Sequence, residues 1–152
     1  ALDAGGRAIA VLPGDLERVA LEKGFRGALE RGLLTLLSPY DPGARFTVWS
    51  AMDRNKDVYA LSDFGIVVSS DRDKGGTWAG ALENLKANWV PLLVRRDPAA
   101  LPGNEELLAR GGIPLTASEV ESATDWVALL RNKVVTAPVR VAAPAEQPEL
   151  PI

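Results

Sequence analysis

Two short stretches of this sequence carry residues whose types and spacing suit them to holding a phosphate. The first is Ser69-Ser70-Asp71-Arg72-Asp73-Lys74-Gly75-Gly76-Thr77, which lies between a strongly apolar run and a helical one. Glycines at such a junction let an anion approach the backbone, and the free N–H groups of a helix N-terminus donate to it. Lys74 and the Thr77 hydroxyl would add a charge and a hydrogen bond. The plainer reading is that Gly75-Gly76 makes a tight turn and Thr77 caps the helix. The spacing does not match Gly-x-x-x-x-Gly-Lys, so the stretch is not a P-loop. The second stretch is Arg54-Asn55-Lys56, on the helix that precedes the same apolar run. Two cations flanking an amide neutralise phosphates while the amide reaches a sugar or base edge. Trp49, about a turn earlier, offers a stacking face. Here the plainer reading is a solvated helix face, with Asp53 and Asp57 as ion-pair partners.

Other candidates are weaker. Pro13-Gly14-Asp15 follows the first apolar run where a doubly wound fold places a phosphate turn, but Gly-x-Gly-x-x-Gly is missing. Arg95-Arg96-Asp97 reads more simply as a solvated charge cluster at a strand end. Asp71 and Asp73 are too few for a metal site. Trp78 and Trp89 flank the helix after the glycines and read as packing residues. Absences narrow the chemistry further. With no Cys and no His, disulfides, thiolate nucleophiles, Ser-His-Asp triads and the common zinc sites are excluded. No catalytic residue, metal ligand or cofactor is assigned, and binding is expected rather than catalysis. The net charge of −3 is not that of a wholly basic nucleic-acid binder, so a local patch would have to do the work.

The elements that must position these residues alternate between strand and helix. The 152 residues, 47% hydrophobic and 24% charged, are enough for one domain with a core. Strands are expected at residues 7–12, 33–37, 63–69 and 90–95, as apolar runs closed by turn residues. Helices are expected from Asp15, as N-cap, to about Arg31, then over 48–61, from Thr77 to Asn88, and over 105–109. A last helix to about Leu130 would start from a capping box at Ser118 and Glu121. Ile113 to Leu115 is left as a short stretch. Strands alternating with helices of this length predict a parallel α/β sheet with helices on both faces. The domain is expected to span residues 1–132. Residues 133–152, with Pro138, Pro144, Pro148 and Pro151, read as a Pro/Ala-rich tail, extended or disordered. No run is long enough to cross a bilayer and no signal peptide is evident, so a cytoplasmic location is expected.

Taken in order, these pieces resemble the DNA-processing protein A (DprA, Smf) family. Ala1-Leu-Asp-Ala-Gly-Gly-Arg-Ala-Ile-Ala-Val-Leu12 resembles its A-L-x-A-G-G-x-T-I-A-V-L. Leu36-Leu-Ser-Pro-Tyr-Asp-Pro-Gly43 resembles L-L-S-E-Y-P-P-G, and Arg54-Asn-Lys-Asp-Val-Tyr-Ala-Leu-Ser-Asp63 resembles R-N-R-I-I-A-G-L-S-D. Lys74-Gly-Gly-Thr-Trp-Ala-Gly-Ala81 sits where the family has S-G-S-L-I-T-A, and Gly103-Asn-Glu-Glu-Leu-Leu-Ala-Arg-Gly-Gly112 is similar to G-T-N-x-L-I-x-x-G-A. The resemblance implies a Rossmann-like fold of the lysine-decarboxylase-like (LOG/SLOG) superfamily. It further implies single-stranded DNA as ligand, the recombinase RecA as a partner, homodimerisation, and a role in recombination and natural transformation. Carried over by position, the DNA or phosphate site comprises Arg54, Asn55, Lys56, Lys74, Gly75, Gly76 and Thr77. A nucleotide is the alternative ligand, as in sensors or hydrolases of the superfamily. However, the P-G-G-x-G-T-x-x-E motif is missing and Glu83 is six residues after Thr77. Three departures stand out. Ala51-Met52 replaces the family's Phe-Pro, Lys56 replaces an arginine, and the S-G-x-A-x-G-I-D loop would precede Ala1. The sequence is therefore expected to be the larger C-terminal part of a longer chain, without its first β-α portion.

Overall fold

The computed structural model describes residues 1–138. A 3-10 turn, Leu2–Ala4, leads into β1 (Ala8–Val11), α1 (Leu16–Ala20), α2 (Lys23–Glu30) and β2 (Leu34–Leu37). Then come α3 (Val48–Ala60), β3 (Gly65–Val67), α4 (Gly75–Ala87), β4 (Leu92–Arg95), α5 (Pro102–Ala109) and β5 (Ile113–Leu115). Helices α6 (Ala117–Ser122) and α7 (Trp126–Thr136) close the described chain. Every strand pairing is parallel, as the strand–helix alternation predicts. The ladders fall into two sheets, β1-β2 and β3-β4-β5. The chain winds from β1 to β2, crosses through α3, and begins a second winding at β3.

The core sits on both faces of β4. Leu92 and Val94 point to one side and meet Val67, Trp78, Ala81, Leu85 and Leu107, all of them buried. Leu93 points to the other side and meets Leu115 and Leu130, with Phe64 and Leu129 packed alongside. Alternation along one strand thus glues α4 and α5 to one face and α6 and α7 to the other, because successive strand side chains project oppositely. Each fully buried Leu contributes about 1.5–3 kcal/mol by leaving water.

Several local expectations change. The helix expected from Asp15 to Arg31 is two helices, with Leu21 and Glu22 between them. Asp15 is left-handed (φ 54°) and its side chain makes no cap hydrogen bond. Its N–H instead donates to the Ala44 carbonyl at 2.6 Å and its carboxylate pairs with Arg18 at 3.7 Å. The last capping box belongs to Thr116 and Glu119, not Ser118 and Glu121. The last helix breaks at residues 123–125, where Asp125 caps a new one that runs on to Thr136. Helix α4 starts at Gly75 rather than Thr77, and α5 starts at Pro102, whose missing N–H costs nothing at a first helical position. Ile113 to Leu115 forms a strand. Of the Pro/Ala-rich tail, residues 139–152 lie outside the described residues.

Candidate anion-binding site

Helix α4 opens without a side-chain cap. Its N-cap is Lys74, in extended conformation, and no side chain accepts from the first turn. Thr47, Thr116 and Asp125 cap α3, α6 and α7, whereas α1, α2 and α5 open uncapped like α4, so the open end alone does not single it out. A first turn without a capping side chain leaves orphan N–H donors and the positive end of the helix dipole facing outward. Thr77 is the third residue of α4 and exposed, so it caps nothing. Gly75 has φ +78°, a left-handed conformation that favours glycine. Gly76 is different. Its φ is ordinary and a Cβ there would meet nothing within 4 Å. A glycine inside a helix costs about 1 kcal/mol relative to alanine, and nothing in the fold requires this one.

The second stretch lies against the first. The Asn55 Nδ2 donates to the Gly76 carbonyl at 3.3 Å, joining α3 to the start of α4. The helices approach closely because residue 80 is glycine, where a Cβ would stand 2.9 Å from Asn55 Nδ2. Arg54, Asn55, Gly76 and Thr77 line one groove of about 560 Å³, whose other walls include Met52 and Ile66. Among the described residues Arg54 has no ion pair, and its enclosed Nε has no hydrogen-bond partner. Lys56 is engaged, with its Nζ 2.9 Å from Asp53 and 3.9 Å from Glu83. The Tyr40 hydroxyl donates to the other Asp53 oxygen at 3.0 Å. The Lys56 hydrogen bond, then the one from Tyr40, holds the Asp53 carboxyl below its usual range, and Asp53 in turn raises Lys56. Loss of hydration, then the Asp53 contact, raises Tyr40. Trp49 is largely exposed and tilts against Tyr40, ring centres 6.3 Å apart.

The remaining sequence candidates lie elsewhere or are structural. Arg95 is paired with Asp97, whose carboxylate also accepts from the Ala99 N–H at 2.8 Å. Gly14 packs on the backbone of residues 44–45, and Trp78 is buried in the core. Trp89 leans on Tyr59, with ring centres 6.0 Å apart. No cluster of metal-ligating side chains occurs among the described residues. A larger cavity, about 890 Å³, opens at the far ends of α4, α5 and α7, near Trp89, Pro114 and Lys133. It lies at the opposite end of α4 from the glycine turn, and its size alone gives it no chemistry. Motif reading missed two fully buried amides, Asn84 and Asn104. Asn104 sits within the Gly103-to-Gly112 stretch, but a lone Asn beside two Glu gives no sign of burial.

The glycine turn follows β3, the edge strand of the three-stranded sheet. In open α/β sheets ligands sit outside the carboxyl ends of the strands. Parallel strands with connecting helices define a Rossmann-like α/β protein, and its uncapped glycine turn and Arg54 can offer hydrogen bonds and charge to an anion. The chain belongs to the DNA recombination-mediator protein A family, whose model matches residues 1–131. No curated protein and no solved structure matches it. Among the described residues no helix is long and apolar enough to cross a membrane.

Proposed function

We propose that this protein binds single-stranded DNA through its phosphates, in a DNA-processing role of the recombination-mediator kind. The observation that carries the reading is the Asn55–Gly76 contact, which sets Arg54 beside the open first turn of α4. Phosphates would take N–H donors of Gly75, Gly76 and Thr77, with Lys74 and Arg54 supplying charge. Asn55 holds the turn against α3. RecA as a partner, a homodimeric state and a cytoplasmic setting belong to the same proposal through family membership.

Gly76→Ala tests the site. Because nothing occupies the space at that Cβ, the variant should be as stable as the wild type or about 0.5–1 kcal/mol more so. Its affinity for a labelled single-stranded oligonucleotide, read by fluorescence anisotropy, should nevertheless fall. Unchanged affinity would remove the α4 turn from the site. A mononucleotide is the second reading, favoured by one observation: Lys56 is engaged by Asp53 and Glu83, leaving fewer free cations. Salt separates the two, since several phosphates give a steep dependence and one gives a shallow dependence.

A further inference from the structure

The loop between β3 and α4 is held from the side by the first turn of α5. Asn104 is wholly buried. Its Oδ1 accepts the Ser70 N–H at 2.8 Å, and its Nδ2 donates to the carbonyls of Val68 at 3.1 Å and Arg95 at 2.9 Å. One carboxamide therefore ties together the ends of β3 and β4 and the first residue of the loop. Gly103 completes the seat. A Cβ there would stand 2.3 Å from the Ser70 carbonyl oxygen and 2.6 Å from the Asp71 carbonyl carbon. That contact is with backbone, which cannot swing away, so only glycine allows α5 to approach. One turn further on, Glu106 reaches Arg72 at 3.7 Å. Beyond Ser70 the chain passes through left-handed Asp73 to extended Lys74 and into α4. Core packing of Trp78, Ala81 and Leu85 holds the axis of α4, while the loop residues that lead into its first turn start from the point where Ser70 is held.

We infer that Asn104 is the positioning residue of the phosphate turn, acting through Ser70 on Lys74, Gly75, Gly76 and Thr77. This rests on the reading of that turn as the DNA site. A buried amide that satisfies both a donor and two acceptors cannot be replaced by a carboxylate of the same shape. Asp at this position still accepts from Ser70 but faces two carbonyl oxygens with no hydrogen to give. Protonation restores one donor, and burial raises the pKa at which that happens. The neighbouring charges are already paired, Arg95 with Asp97 and Arg72 with Glu106. The chain has no His, but its net charge still rises from −3 at pH 7 to zero near pH 5.0, so the effect of the new carboxyl is read as the ratio of variant to wild type at each pH.

The test compares Asn104→Asp with Asn84→Asp. Asn84 is equally buried, but it bridges the Val90 N–H and carbonyl at the far end of α4, at 3.0 and 2.9 Å. Both variants lose stability, and only the first should reach the turn. With a labelled single-stranded oligonucleotide, Asn104→Asp should bind about tenfold more weakly than wild type at pH 7.5. It should recover toward wild type near about pH 5 as the new carboxyl protonates. Folded Asn84→Asp should bind normally at both. Hydrogen exchange of residues 70–77 gives a readout that needs no ligand, with exchange faster in Asn104→Asp than in wild type or Asn84→Asp. Exchange in that segment equal to Asn84→Asp would overturn the assignment, whatever the binding. Altered exchange in a protein whose wild type binds no oligonucleotide would uphold the clamp and sink the DNA reading instead.

Discussion

Arg54 and Lys56 stand two positions apart on α3 and meet different surroundings. Lys56 reaches Asp53 on its own helix and Glu83 on α4, so its charge is already matched. Arg54 lines the groove with no ion pair among the described residues, and its guanidinium offers a planar fork that suits phosphate oxygens. Arg54→Ala should therefore weaken oligonucleotide binding by roughly tenfold and reduce the salt slope by about one. Lys56→Ala should change it by only about two- to threefold, a surface pair being worth little. Equal losses in the two variants, measured by anisotropy across a salt series, would mean that Lys56 leaves its acids to meet the ligand. The sequence shows both cations and both flanking acids. It does not show that Glu83, on another helix, reaches Lys56.

At the scale of elements, the contact between α3 and α4 turns on one small residue. A Cβ at Gly80 would press on the Asn55 side chain, and the larger Gly80→Val would push the two helices apart. Overpacking of this kind costs about 1–3 kcal/mol, and here it would also break the Asn55–Gly76 hydrogen bond. A melting curve combined with an affinity measurement checks both effects, and a destabilised variant that still binds fully would show that Asn55 is dispensable. The other interelement link with a clear signature joins α6 to α7. Glu119 caps α6 at Thr116 and meets Lys133 at 2.6 Å, and the Lys133 ammonium also donates to the Pro114 carbonyl at 2.7 Å. The Lys133 contact, aided by the Thr116 backbone, lowers the Glu119 carboxyl from 4.5 to about 2. A carboxyl depressed in the folded state stabilises it fully above its unfolded value and loses that contribution as pH falls through the folded one. The window therefore runs from about 4.5 down to about 2. Lys133→Met should melt below wild type at neutral pH, with the difference closing through that window. A difference that stays constant with pH would mean that Lys133 acts through packing.

At the scale of the whole molecule, stability is unevenly distributed. The wholly buried side chains Leu93, Val94, Leu107, Ala81, Asn84 and Asn104 all belong to β4, α4 or α5. Around β1 and β2, Leu34 and Ala28 are buried, while Ile9 is 62% exposed. Regions with few buried apolar contacts open at lower free energy than the global transition. Amide hydrogen exchange should accordingly be slowest in β4 and markedly faster in β1 and β2, and uniform protection would contradict this. The net charge of −3 acts at the same scale. It would repel a polyanion at long range, so the proposed binding would have to come from the cations and N–H donors at the local turn, whose phosphate contacts give the steep salt dependence.

The parallel α/β architecture was readable from the sequence because it rests on short-range physics. Apolar runs such as 92–94 and 65–67, separated by helical stretches, leave few ways to hide them from water. The lack of His and Cys likewise closed off whole classes of chemistry. Helix ends were read less well, since Thr116 and Ser118 both have an acidic residue three places on and the backbone decides which one caps. The site needed the tertiary structure. Which cation is paired, that Asn55 meets the start of α4, and that Asn104 holds the loop all depend on groups brought together from distant parts of the chain. Charge pairing and amide burial are set by those neighbours, and spacing along one segment carries no record of them.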